Sequence, residues 1–130
     1  MKHRGFFSII LHGHLPYVRH PEHERFLEED WFYEAIEETY IPLLQVCERL
    51  LADSIDFRLT FTLSPTLVSM FEDPLLRGRA RRHLERLIEL GHREVTRTRG
   101  DATFHPLALM FRQRFGDALF ALPGQILEVV

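Results

Sequence analysis

An α/β fold is predicted by three features: an apolar, β-favouring run at residues 6–11, an alternating run at residues 56–63, and amphipathic helical stripes between and after them. Strand, helix and strand in that order suggest a βαβ unit with a parallel sheet. The first run ends in His12-Gly13-His14-Leu15-Pro16-Tyr17. Strand side chains alternate, so His12 and His14 are expected on one face at the carboxyl end of the strand and Gly13 on the other, with Pro16 ending the ladder. In α/β folds ligands bind at that end of a strand. A single histidine on an apolar strand is more often a satisfied core or surface residue; a pair at i and i+2 before a Pro-Tyr turn marks a candidate site. The spacing leaves open whether the imidazoles meet a metal, a proton or a substrate hydroxyl.

Taken in order, the first strand spans residues 5–14. Residues 17–30 carry Arg19, His20, Pro21, Glu22, His23, Glu24 and Arg25 with no steady period, which reads as a long βα loop. Tyr17 is expected to shape the turn, and His20 and His23 to be exposed. Asp30 is the expected N-cap of a helix opening at Trp31. Ile36, Tyr40, Leu43, Leu44, Val46, Cys47, Leu50 and Leu51 continue its apolar stripe to about Asp53. Pro42 inside that stripe should kink the helix or start a second one. Glu28, Glu29, Glu34, Glu37 and Glu38 are read as charge complementing the helix N-terminus.

In the second strand Phe57, Leu59, Phe61 and Leu63 share one face, and Arg58, Thr60 and Thr62 the other. A short helix is expected over residues 66–71. Asp73-Pro74 then gives an N-cap with proline at the first helical position of a long amphipathic helix reaching about residue 98. Arg77, Arg79, Arg81 and Arg82 read as its solvated face. Arg99-Gly100-Asp101 breaks the chain, residues 104–122 carry another helical stripe with Pro106 in its first turn, and Pro123-Gly124 stops it.

At 130 residues, 45% of them hydrophobic, the chain can form a core as one small domain or as part of a larger one. A formal charge of −3 argues against a general nucleic-acid binder. Cys47 is the single cysteine, so an intrachain disulfide is impossible, and its place in an apolar stripe predicts a small buried hydrophobe. The amino-terminal apolar run is too short for a signal peptide or membrane span, and a cytoplasmic protein is expected. Two parallel strands backed by helices leave both sheet edges unpaired. This predicts the opening section of a larger α/β barrel or sheet, with self-association through the exposed edges as a consequence.

The stretch His12-Gly13-His14-Leu15-Pro16-Tyr17-Val18-Arg19-His20-Pro21-Glu22 resembles the first sequence motif of glycoside hydrolase family 57, most nearly its 1,4-α-glucan branching-enzyme-like branch. The resemblance continues through Phe26-Leu27-Glu28-Glu29-Asp30-Trp31-Phe32-Tyr33-Glu34-Ala35, Glu38-Thr39-Tyr40-Ile41-Pro42-Leu43-Leu44, Leu63-Ser64-Pro65-Thr66-Leu67, Arg86-Leu87-Ile88-Glu89-Leu90 and Phe104-His105-Pro106-Leu107-Ala108-Leu109-Met110. It covers residues 5–115, departs from the family at Gly100 and Pro106, and is lost over residues 116–130, which read as a divergent tail.

The resemblance implies an incomplete (β/α)7 barrel, of which this chain is the first two βα units. It implies retaining cleavage of α-1,4-glucosidic bonds, with transfer to a 6-hydroxyl in the branching members. A glutamate nucleophile and an aspartate acid/base about 5–5.5 Å apart carry that chemistry. Neither of their motifs occurs here, so no catalytic residue transfers, and an N-terminal piece inactive by itself is expected. His12 and His14 do transfer, as residues that hydrogen-bond the sugar beside the nucleophile. Trp31 is a candidate for stacking on a sugar face. No cofactor and no metal are implied; the expected partner is an α-1,4-glucan, with no nucleic acid and no membrane. Two other readings stand beside this one: a metal-dependent α/β hydrolase or deacetylase built on His-X-His, and a non-catalytic remnant that holds glucan or a partner subunit.

Overall fold

The computed structural model describes residues 5 and 7–122. Elements follow in the order β1 (Ile10–Gly13), α1 (Leu27–Ala35), a π-helical turn (Ile36–Tyr40), α2 (Ile41–Ala52), β2 (Thr60–Leu63), α3 (Pro65–Glu72), α4 (Pro74–Arg97) and α5 (Phe104–Ala121). Among the described residues β1 and β2 form a two-stranded parallel sheet, paired Ile10 to Thr60, Leu11 to Phe61, His12 to Thr62 and Gly13 to Leu63. The expected mixed α/β class and βαβ order are present, as an open strand pair and not a closed barrel. Both strands are shorter than the apolar runs that announced them. Each has a single neighbour to bond, so Phe7 and Ile9 stand exposed before the ladder begins.

Helix α1 begins at Leu27 with Phe26 at its N-cap, four residues before the expected opening at Trp31, and Asp30 lies inside the first turn. Glu28, Glu29 and Asp30 together sit in that turn, where negative charge is favoured. Pro42 stands in the first turn of a second helix, as one of the two expected outcomes has it. One turn widens ahead of it: the Ile41 N–H reaches back five residues to the Ile36 carbonyl, and Pro42 has no N–H to place. Helix α2 closes in a Schellman motif. The Ile55 N–H bonds the Leu50 carbonyl, the Ser54 N–H bonds Leu51, and Ser54 takes the left-handed conformation at φ 57°.

Helix α4 starts at the cap expected of it, and α3 starts at Pro65, one residue before its expected opening. The Ser64 hydroxyl accepts from the Leu67 N–H at 3.3 Å, and Asp73 Oδ1 accepts from the Leu75 and Leu76 N–H groups at 2.9 and 3.0 Å. Asp101 does the same for α5 through the Thr103 and Phe104 N–H groups. Helix α5 runs unbroken past Phe115, with Ala118 and Ala121 buried, while the stop expected at Pro123-Gly124 lies outside the described residues. The core is built from Phe32, Ile36, Ile41, Leu67, Met70, Phe71, Leu76, Ala80 and Leu84, with Val18 from the loop after β1. It lies on one side of the sheet. Cys47 is half-buried on α2, where the stripe is thinner than its spacing promised.

Candidate functional site

The helix-covered side of the sheet holds Gly13, which is buried, while the opposite side carries Ile10, His12, His14, Thr60 and Thr62, all exposed. A Cβ added at Gly13 would lie 2.8 Å from Leu63 Cδ2, 3.2 Å from Leu67 Cδ2 and 3.3 Å from the Tyr40 hydroxyl. Glycine is what lets β1 settle on α3 and the π turn, and so what fixes the direction of the residues on either side of it. Gly13→Ala is therefore expected to destabilise by about 1–3 kcal/mol through overpacking, read from urea unfolding. An unchanged midpoint would show that this contact is not tight.

His12 and His14 emerge together, as alternation requires. Their rings stack with centroids 6.0 Å apart and planes at 13°. His12 Nδ1 lies 2.7 Å from the Thr62 hydroxyl, which is itself 3.4 Å from the Leu11 carbonyl. That contact steadies one ring nitrogen of an exposed side chain. Among the described residues no hydrogen bond holds the His14 ring. The pair is thus oriented, solvent-facing and largely unused. Among the described residues no group of three or more His, Cys, Asp or Glu side chains is arranged to hold a metal ion.

Trp31 lies on α1, 50% exposed, while its neighbours Phe32 and Tyr33 face inward. It takes no part in the ring contacts of His12 and His14, nor in the Phe32–Phe71 and Tyr33–His83 contacts beside it. Tyr17 is exposed, and the hydrogen bonds that tie down this segment come from other groups.

Those groups carry little signal in the sequence. Arg79, read there as solvated, is 8% exposed, and Glu29, read as helix-terminal charge, is 1% exposed. The Arg79 guanidinium donates to Glu29 Oε1, to the His20 carbonyl at 3.1 Å and to the His23 carbonyl. Glu29 also accepts from the His20 N–H at 3.0 Å and from the Tyr33 hydroxyl at 2.7 Å. Burial works to raise the Glu29 pKa, but the bonds from Tyr33, Arg79 and His20 outweigh it and hold the carboxyl below its ordinary value. Burial and the same carboxylate push the Tyr33 phenol upward.

Further along, Arg19 Nε donates to Asp73 Oδ2 at 2.6 Å, the Val18 N–H points at Met70 Sδ at 3.4 Å, and the Thr66 hydroxyl donates to the Leu15 carbonyl at 3.1 Å. His23 is exposed, as expected, and His20 half-buried; both stack on Phe26. One signal was available: Arg79 falls three residues after Leu76 and one before Ala80, on the buried stripe of α4.

Fold and site together define an α/β unit with two exposed histidines at the carboxyl end of one strand of a parallel pair. The chain belongs to glycosyl hydrolase family 57, whose family model matches residues 8–120. It is 29% identical over 125 residues to a 1,4-alpha-glucan branching enzyme of Thermococcus kodakarensis, covering 95% of this chain and 18% of that protein. Its structure is similar to the alpha-amylase AmyC of Thermotoga maritima, with 44% identity and a TM-score of 0.82 over 88% of this chain and 21% of that one. It is likewise similar to a branching enzyme of this family from Pyrococcus horikoshii, with 28% identity and a TM-score of 0.83 over 95% of this chain and 24% of that one. The chain therefore spans between 18% and 24% of the length of these relatives.

Proposed function

We propose that this chain forms the opening strand pair of an α-glucan-active catalytic domain of the branching-enzyme type, and that His12 and His14 hydrogen-bond a glucosyl ring of an α-1,4-glucan. The observation that carries the reading is the stacked, solvent-facing imidazole pair on the side of the sheet opposite the helices. In a (β/α) barrel helices cover the outside of the strands, so the uncovered side corresponds to the interior and the strand ends to its mouth. An incomplete (β/α)7 barrel, finished by strands beyond these two, accounts for the exposed Ile10 and Phe61 as well.

Imidazole suits a sugar because each ring both donates and accepts. Contacts that tighten as the ring flattens toward an oxocarbenium ion lower the barrier instead of merely binding substrate. Trp31 is proposed as a second contact, stacking its half-exposed indole on a sugar face. Retaining cleavage needs two carboxylates at close range, and the buried carboxylates among the described residues are otherwise placed: Glu29 binds Arg79, and Glu37 borders a cleft with residues of α2 and α5. The chain alone is thus a glucan binder without turnover.

Electrophoresis through amylopectin tests this. The chain is expected to be retarded, and His12→Ala/His14→Ala to be retarded roughly tenfold less, as the loss of about two hydrogen bonds implies. Unretarded migration of the unaltered chain contradicts the binding reading. New reducing ends or branch points from amylose contradict the claim of inertness.

A further inference from the structure

We propose that Arg79 is a positioning residue for the histidine site: by clasping Glu29 and the carbonyls of His20 and His23 it holds residues 15–25 as a fixed wall beside His12 and His14. The inference rests on the glucan-binding reading above and names what makes that site rigid.

The segment leaves β1 directly after His14 and forms no helix or strand until Leu27. A chain of that length with no ladder of its own should be mobile, and a mobile wall loses affinity to the ordering that binding demands. The bonds observed run from the segment to three other elements. Thr66 and Met70 of α3 hold Leu15 and Val18, and Asp73 at the α3–α4 junction holds Arg19. Glu29 of α1 and Arg79 of α4 then close on its far end.

Arg79 is the residue on which this end depends. A guanidinium is a planar fork with five donors, so it can meet a carboxylate and two carbonyls at once. The two carbonyls belong to residues three apart in a turn that the His23 N–H already closes on the His20 carbonyl at 3.2 Å. Phe26 fills the inside of that turn between the two imidazole rings. A lysine in the same place keeps the charge opposite Glu29 but offers a point donor that cannot span all three acceptors.

The test compares the unaltered chain with Arg79→Lys and with Glu29→Leu/Arg79→Met, which removes both charges so that neither is left buried and alone. All are studied below their unfolding transitions. Amide exchange of residues 18–23 is expected to quicken at least tenfold in both variants while α3 and α4 amides stay protected. The ring-proton shifts that maltohexaose induces at His12 and His14 are expected to need about tenfold more sugar. Equal maltohexaose response in a folded variant and in the unaltered chain overturns the proposal while leaving the glucan reading intact. If Arg79→Lys fails to fold, the double variant decides alone on the same criteria. Absence of any response in the unaltered chain overturns the glucan reading and this inference with it.

Discussion

Glu29→Ala is expected to lower the unfolding free energy by about 3–5 kcal/mol, because it strands a buried guanidinium. Arg79 lies under the loop with its neighbouring acceptors restricted to the His20 and His23 carbonyls once the carboxylate is gone. The Tyr33 hydroxyl and the His20 N–H lose their acceptor in the same substitution. For a domain whose whole stability is on the order of 5–15 kcal/mol, that is about a fifth of the total or more. Thermal unfolding followed by circular dichroism should show a midpoint lower by about 10–25 °C. Glu29→Leu/Arg79→Met should recover most of it, since an apolar pair avoids the desolvation of two charges. The carboxyl is held below its ordinary value, so its contribution is present above the unfolded-state pKa and fades as acid brings the pH through the folded one. A loss under 1 kcal/mol in the single variant would mean the pair is not the closed contact described.

Glu37→Gln is expected to stabilise the chain in alkaline solution and leave it nearly unchanged in acid. Glu37 sits in the wide π turn, 7% exposed, with Oε2 buried and, among the described residues, without a hydrogen-bond partner. It borders a cleft of about 350 Å³ lined by Ile41, Gln45, Met110, Arg114 and Asp117. Burial first, then the charges of Glu38 and Glu34, push its pKa up to about 7, against a smaller opposite pull from Arg114. Between the ordinary carboxylate value and that point the folded chain keeps a proton the unfolded chain has lost. Stability therefore falls as pH rises through this window, by about 1.4 kcal/mol per unit and by at most about 3 kcal/mol in all. The amide cannot ionise, so its advantage should be small at pH 4 and reach about 2–3 kcal/mol by pH 8. Urea unfolding at the two values measures it. A constant difference would place the carboxyl in water.

The order of elements was legible because it rests on local rules. Asp73 announces helix α4 by a side chain that caps the next turn, and alternation alone turns His12 and His14 the same way. What failed to show depends on contacts between distant residues. Strand length follows from how many neighbours bond a strand, which no run of apolar letters contains; hence the four-residue ladders at Ile10 and Thr60. A charged residue is read as solvated until a partner is known. Glu29 and Arg79 lie 50 positions apart, and only the packing of α1 on α4 makes them partners. Pro42 marked the start of a second helix correctly, but the widened turn that joins it to the first, with Ile36 and Ile41 buried, has no signature in the sequence.

The account turns on whether a glucan lies against two imidazoles that alternation and Gly13 aim outward. The eight histidines provide their own controls. Carbethoxylation with diethyl pyrocarbonate, mapped by mass spectrometry with and without maltohexaose, reads each ring separately. The account predicts protection of His12 and His14, with exposed His92 on α4 modified at the same rate in both samples. Unchanged labelling of the pair, or protection of His92 to the same degree, would contradict it.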